Sequence, residues 1–256
     1  MSFPYILSVS RREDVPAFKS EWFINVLKDG YVNMCSSYRD YRISFDNVKF
    51  IVFWTKNPRP MIPYLDDIKL DYYFQYTLNF YPEYEKNVPP IAERVRTFIN
   101  LSKKIGKEKV IWRFDPIIIN DIISVDNVLE RINKIGRLVS PYTEKLVFSF
   151  IDPYFKLNDR FRDLTEKEMI DVVQGIKEMN KSWGLKLATC AERSEFEGIE
   201  HNKCIDPDLI KRISGDPDWL KERKDKNQRA FCGCIESSDI GSFKSCQHQC
   251  DYCYGQ

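Results

Sequence analysis

Lys109, Val110, Ile111, Trp112, Arg113, Phe114, Asp115 and Pro116 follow one another near the middle of the chain. They form a short β-branched and aromatic run that ends in polar residues and turns at proline. Such a run is too short for a helix and predicts a buried strand. Before it, Pro90–Lys104 carries Ile91, Val95, Phe98, Ile99 and Leu101 on one helical face, with Gly106 as its stop. The same alternation extends in both directions. It predicts strands over Tyr5–Val9, Lys49–Trp54, Tyr72–Leu78, Lys109–Phe114, Lys145–Ile151 and Leu185–Thr189. Helices are predicted over Pro16–Lys28, Pro90–Lys104, Ser124–Leu138 and Thr165–Trp183. The last opens with the capping-box pair Thr165 and Glu168. Strands separated by helices imply a parallel sheet. The expected class is α/β, a partial (β/α)6 TIM-like barrel, with an open doubly wound sheet as the alternative. The regular pattern fails after about Gly215. The chain therefore divides into a barrel over 1–215 and a cysteine-rich tail over 216–256, expected to fold over the barrel mouth.

Composition narrows the function classes. The 256 residues hold 39 Lys and Arg against 38 Asp and Glu, so net charge gives no support for an acidic partner. No apolar run approaches a membrane span. The opening Met1–Tyr5 lacks a basic segment followed by an apolar one, so no leader is read. A cytoplasmic protein is expected. Eight cysteines in a reducing compartment argue against disulfides, and five of them follow residue 231, which favours metal.

In parallel α/β folds reactive groups gather at the carboxyl ends of the strands. Here those ends are Ser10, Arg11 and Arg12; Trp54 and Lys56; Asn79; Arg113 and Asp115; Ser149 before Asp152 and Pro153; and Cys190 before Glu192. Polar strand ends are ordinary loop chemistry, and that accounts for single positions better than for the set. Arg11 and Arg12 suit a carboxylate or phosphate, against a surface salt bridge for either one. Arg113 and Asp115 alternate around Phe114, so both can face one side and pair, as a structural ion pair or a ligand clamp. Lys56 reads as a ligand contact or a solvated loop residue. Lys221–Arg229 is a charge run, read as a solvated loop or helix with nucleic-acid contact as the minority alternative.

Cys246, Cys250 and Cys253 sit within eight positions. Thiolates so close usually share one centre, zinc or an iron–sulfur cluster. Three on a four-iron cluster leave one iron open for chemistry. Cys232 and Cys234, with Cys190 and Cys204, are candidates for structural zinc or a second cluster, or for a fourth ligand to the first. His248 inside the terminal motif offers a Cys3His zinc site. Cys35 reads as plain packing.

The segment Cys246, Cys250, Tyr252, Cys253 resembles the C-x3-C-x-aromatic-C motif of radical S-adenosylmethionine enzymes. Phe53–Pro58, Thr77–Asn79, Val88–Pro90 and Arg113–Ile117 resemble the branch of that superfamily containing spore photoproduct lyase. That resemblance implies a [4Fe–4S] cluster on the three cysteines, S-adenosylmethionine on its open iron, and an external electron donor of flavodoxin or ferredoxin type. It also implies a small-molecule or nucleotide substrate. In it, Arg11, Arg12, Lys56, Arg113 and Asp115 are expected catalytic contacts, and Ser10, Asn79, Ser149 and Tyr252 cofactor contacts. The motif closes the chain here, whereas in the superfamily it follows the first strand. Ile235–Phe243 would then supply the leading strand. The whole chain is also similar to the family of domain of unknown function 1848, through Ser10–Phe18, Phe53–Pro58 and the terminal cysteines; that similarity carries no substrate. The alternatives are a redox protein with fully ligated clusters, and a zinc-stabilised barrel that binds a nucleotide or nucleic acid.

Overall fold

The computed structural model describes residues 5–35, 40–152, 160–253 and 255. Pro153 and the first four residues, where the turn proline and the missing leader were read, lie outside them. Among the described residues ten strands and six α-helices follow one another. The elements are β1 (Ile6–Val9), α1 (Val15–Phe18), α2 (Ser20–Asp29), β2 (Tyr31–Cys35), β3 (Asp40–Ser44), β4 (Phe50–Thr55) and β5 (Asp71–Thr77). Then come α3 (Ile91–Ile105), β6 (Val110–Ile117), α4 (Val125–Val139), β7 (Lys145–Phe150), α5 (Glu166–Trp183), β8 (Lys186–Thr189), β9 (Glu200–His201), α6 (Pro207–Ser214) and β10 (Ser238–Asp239).

Eight strands form one parallel sheet in the order β10-β1-β4-β5-β6-β7-β8-β9. From β1 onward each strand joins on the same side as the last. Right-handed crossovers in one direction put their helices on one face. The sheet is thus α/β and mostly parallel, as expected, but it has eight strands and no pairing between β9 and β10 among the described residues. The expected six strands are corrected to eight among the described residues. The two extra strands are two residues each, too short to leave a period in the sequence.

The side-chain period of two sorts the strand residues into two cores. Leu7, Val9, Ile51, Phe53, Phe74, Tyr76, Trp112, Phe114, Leu146 and Phe148 pack against Phe23, Phe98, Leu101, Ile132, Ile135, Val172 and Ile176 from the helices. Their neighbours Ile6, Phe50, Val52, Tyr73, Ile111 and Val147 face the other way, onto Ile205, Leu209, Ile210 and Ile235. So α6 and the tail cover the face that the crossover helices leave bare. Tyr73 and Gln75 donate to the Cys204 carbonyl at 2.6 and 2.9 Å, which pins that segment to the sheet.

Helix signals in the sequence translate directly. Ser124 and Thr165 both close capping boxes, and Gly184 ends α5 in the left-handed region at φ 67°. The expected helix over Pro16–Lys28 is instead two, α1 and α2, broken at Lys19. Asp14 caps α1 through the Ala17 N–H, and the Ser20 hydroxyl turns back to the Pro16 carbonyl at 2.7 Å. The antiparallel pair β2–β3 stands apart as a second sheet, with Cys35 opposite Asp40. Cys35 is exposed and donates to Asp40 at 2.7 Å, so its reading as packing is corrected.

Candidate functional site

The inward face changes character along its strands. Its apolar half ends at Ile6, Val52, Tyr73, Ile111 and Val147; the next residues on that face are Ser8, Trp54, Gln75, Arg113 and Ser149. A cavity of about 460 Å3 opens there, at the carboxyl ends of the strands. Ser10, Arg11, Arg12, Lys56, Arg113, Asp115, Ser149, Tyr252 and the cysteines at 190, 204, 232, 234, 246, 250 and 253 all line it. Asn79 does not, but it holds two residues that do. Its amide donates to the Asp115 carbonyl at 2.8 Å and the Tyr252 hydroxyl at 3.1 Å, and its oxygen accepts the Asp115 N–H.

The tail closes one side. Asp239 on β10 accepts from the Ser8 and Ser10 hydroxyls at 2.9 and 2.6 Å and from the N–H groups of Arg11 and Gly241. The expected strand within Ile235–Phe243 is therefore present as β10, paired to β1. Glu13 receives Ser242 N–H and the Ser245 hydroxyl, and Asp14 receives His248 Nε2 at 2.9 Å and Lys56 N–H at 2.6 Å.

Most cations at the site are already engaged. Arg113 pairs with Asp115, which also accepts from Ser149, so the alternating pair forms an ion pair. Burial works against both charges, yet the Cys204 sulfur and Asp115 hold the Arg113 pKa well above its usual value, and Arg113 and the Ser149 hydroxyl hold the Asp115 pKa below. Lys56 bonds Glu85 at 2.7 Å and the Tyr252 hydroxyl at 2.8 Å, and Tyr252 also donates to Glu85. Arg94 reaches Glu85 from behind at 3.3 Å. Burial opposes the Glu85 charge, but Lys56 and Arg94 outweigh it and hold its pKa down. The Arg11 and Arg113 guanidinium groups lie 5.2 and 5.3 Å from the Trp54 ring centre. The buried Trp54 Nε1 has no hydrogen-bond partner among the described residues. Arg12 donates to the Gly241 carbonyl at 3.2 Å and lies over Phe243, and no carboxylate among the described residues pairs with it.

The expected metal centres are overturned. Cys246, Cys250 and Cys253 share the cavity wall, but among the described residues no three His, Cys, Asp or Glu side chains are placed to hold one metal ion. Burial pushes the Cys250 thiol up to about 12 and raises Cys246 as well. His248 uses both ring nitrogens, on Asp14 and the Asn87 carbonyl, so it completes no Cys3His site. Among Cys190, Cys204, Cys232 and Cys234, the sulfurs of Cys190 and Cys204 approach to 3.4 Å. The radical S-adenosylmethionine reading, with its [4Fe–4S] cluster and electron donor, therefore loses its basis. So do the fully ligated cluster protein and the zinc-stabilised barrel. The charge run also fails as a nucleic-acid surface: Glu222 pairs with Lys211, Arg229 with Asp152, and Asp225 is buried. Among the described residues no helix is long and apolar enough to cross a membrane.

Three contributors were given no role from the sequence, although Trp54 and Glu192 stand among its strand ends. Trp54 was legible, since it follows Phe50 and Val52 at period two. Glu85 sits in an irregular loop with no periodic signal. Glu192, beyond β8, accepts the Phe150 N–H at 2.9 Å, and burial lifts its pKa to about 7.

No curated protein and no solved structure matches the chain. The family described as Domain of unknown function (DUF1848) matches residues 6–255, and the chain belongs to it.

Proposed function

We propose that this DUF1848 protein binds a small acid, a molecule carrying a carboxylate or phosphate, in the cavity at its strand ends. One observation carries the reading. Arg12 lines the cavity with no carboxylate partner among the described residues, while Arg113 and Lys56 beside it are neutralised by Asp115 and Glu85. A guanidinium beside a partly enclosed cavity favours an anion in bidentate contact. The volume lies within the usual range for small-molecule sites. In this reading Arg12 takes the anionic group and Trp54 Nε1 donates to a second acceptor. Ser10 keeps Arg12 in place through its N–H at 3.0 Å. Arg11, Arg113, Asp115, Ser149, Lys56 and Tyr252 form the polar wall, and Asn79 supports it.

The test is calorimetric titration with a panel of small carboxylic acids and phosphate monoesters. At least one should bind, and Arg12→Ala should weaken it tenfold or more, since charge-assisted bonds are worth about 1.5–3 kcal/mol. An unchanged affinity in the Arg12→Ala protein, with the fold intact by circular dichroism, would overturn the assignment.

A further inference from the structure

The cysteines at the end of β8 and after β9 make a second arrangement that the anion site does not use. Cys190 follows β8 and Cys204 follows β9, and these strands pair in parallel with Thr189 opposite His201. The Asn202 N–H bonds the Thr189 carbonyl at 2.7 Å, so the register continues past the strand ends. The two sulfurs end 3.4 Å apart, with no bond between them. A disulfide needs ~2.05 Å, so the pair is about 1.4 Å from closure, within the reach of side-chain rotation.

The two sulfurs stand in different surroundings. Cys204 Sγ accepts from Arg113 Nη1 at 3.0 Å and from Asn202 Nδ2 at 3.0 Å. A cation and an amide aimed at one sulfur favour negative charge on it, as an attacking thiolate requires, against the Cys234 thiol and the burial that raise its pKa. Cys190 shares the Arg113 guanidinium but has no amide donor among the described residues, and it is the more exposed of the two. Cys234 Sγ accepts the backbone N–H groups of Cys204 and Ile205 at 3.2 and 3.4 Å, which ties it to the chain beside Cys204. Both Cys190 and Cys204 line the cavity, and Cys204 is 2% exposed. A small oxidant reaches that sulfur through the cavity; a protein thiol does not.

We propose that Cys204 and Cys190 are a peroxide-oxidised dithiol that closes to a reversible disulfide, with Cys204 attacking and Cys190 resolving. The Cys204 thiolate attacks one peroxide oxygen; the S–O bond forms, the O–O bond breaks, and the departing hydroxide takes a proton to become water. Cys204 is then a sulfenic acid. The Cys190 thiolate attacks the Cys204 sulfur; the S–S bond forms, the S–O bond breaks, and the second hydroxide leaves as water with the Cys190 proton. Two thiols and one hydrogen peroxide give one disulfide and two waters, with two electrons passing from sulfur to oxygen. A dithiol reverses the step by exchange. The pair stands independently of the acid reading, because it needs no ligand.

The test uses the full-length reduced protein with one equivalent of hydrogen peroxide, then alkylation, non-reducing digestion and mass spectrometry. The expected product is a Cys190–Cys204 cross-linked peptide that dithiothreitol dissolves, while the exposed Cys35 remains alkylated. In Cys190→Ser, the Cys204 sulfenic acid should persist and be trapped by dimedone. In Arg113→Met the rate should fall by tenfold or more. Full alkylation of Cys190 and Cys204 after peroxide would overturn the proposal. So would a product linking a different pair, Cys232 with Cys234 or two of the terminal three. The wild-type map decides between these outcomes whether or not the variants fold.

Discussion

Glu192 is the residue whose protonation couples most plainly to pH. Burial raises its carboxyl to about 7, with Asp152 and Asp115 adding in the same direction, against the Phe150 N–H. The folded state therefore holds a proton that the unfolded chain releases near pH 4.5. The stabilisation linked to that proton is fully present below about pH 4.5 and is lost as pH rises through about 7. Asp115 and Glu85 act with the opposite sign, because their pKa values are held down: their contribution is present at neutral pH and lost on acidification. Urea unfolding between pH 5 and 8 should show stability falling toward pH 8. Glu192→Gln should flatten that slope and gain about 1 kcal/mol at pH 8, after discounting for solvent screening. A wild-type slope that Glu192→Gln leaves unchanged would remove Glu192 as its source. No local pattern marks Glu192: the strand-end position was legible, but its pKa depends on Phe150 and Asp152 from β7 and beyond, which only folding brings near.

Among the elements, β10 matters most to the site although it is only two residues long. It pairs Ser238 and Asp239 with Leu7 and Ser8, and its carboxylate organises the Ser10–Arg11 turn. Gly241, just after it, passes so close to β1 that a Cβ there would meet the Ser10 Oγ at 1.9 Å. The Ser10 hydroxyl cannot swing away without losing Asp239 and the Arg12 N–H. Gly241→Ala should destabilise by about 1–3 kcal/mol, the usual cost of overpacking, and should displace Arg12. Thermal unfolding measures the first effect. Adding Ser10→Gly should recover part of it, so additive losses in that double-mutant cycle would count against the close approach. The amphipathic helices α3, α4 and α5 were legible because their periods and caps lie within the chain segment itself. The break between α1 and α2 was not, because it lies at Lys19, whose backbone leaves the helical region at φ −135° and ψ 29° with no glycine or proline to mark it.

For the whole molecule, the tail is a wall of the cavity and an edge of the sheet. Its hydrogen bonds to Ser8, Ser10, Glu13, Asp14 and Glu85 replace solvent at polar groups buried by the fold. Ending the chain at residue 235 should leave β1 as an unpaired edge and strand Glu13 and Asp14 without these partners. We expect such a chain to aggregate or to unfold without a cooperative transition, as followed by size-exclusion chromatography and thermal denaturation. A monomer with a sharp transition would mean that the sheet is complete without the tail.

The sequence by itself determined the α/β class, six of the strands, three helices with their caps, and which residues stand at the strand ends. Those properties follow from periods of 2 and 3.6 and from caps a few residues away, all short-range. Only the tertiary structure decided what the strand-end residues do. Arg113 and Lys56 look like Arg12 in the sequence, yet Asp115 and Glu85 neutralise the first two and no described carboxylate reaches the third. The terminal cysteines suggested a metal by spacing alone, while the folded chain sets their sulfurs apart from any three-ligand arrangement among the described residues. Charge pairing, burial and ligand geometry depend on distances between remote segments, and spacing along the chain does not carry those distances.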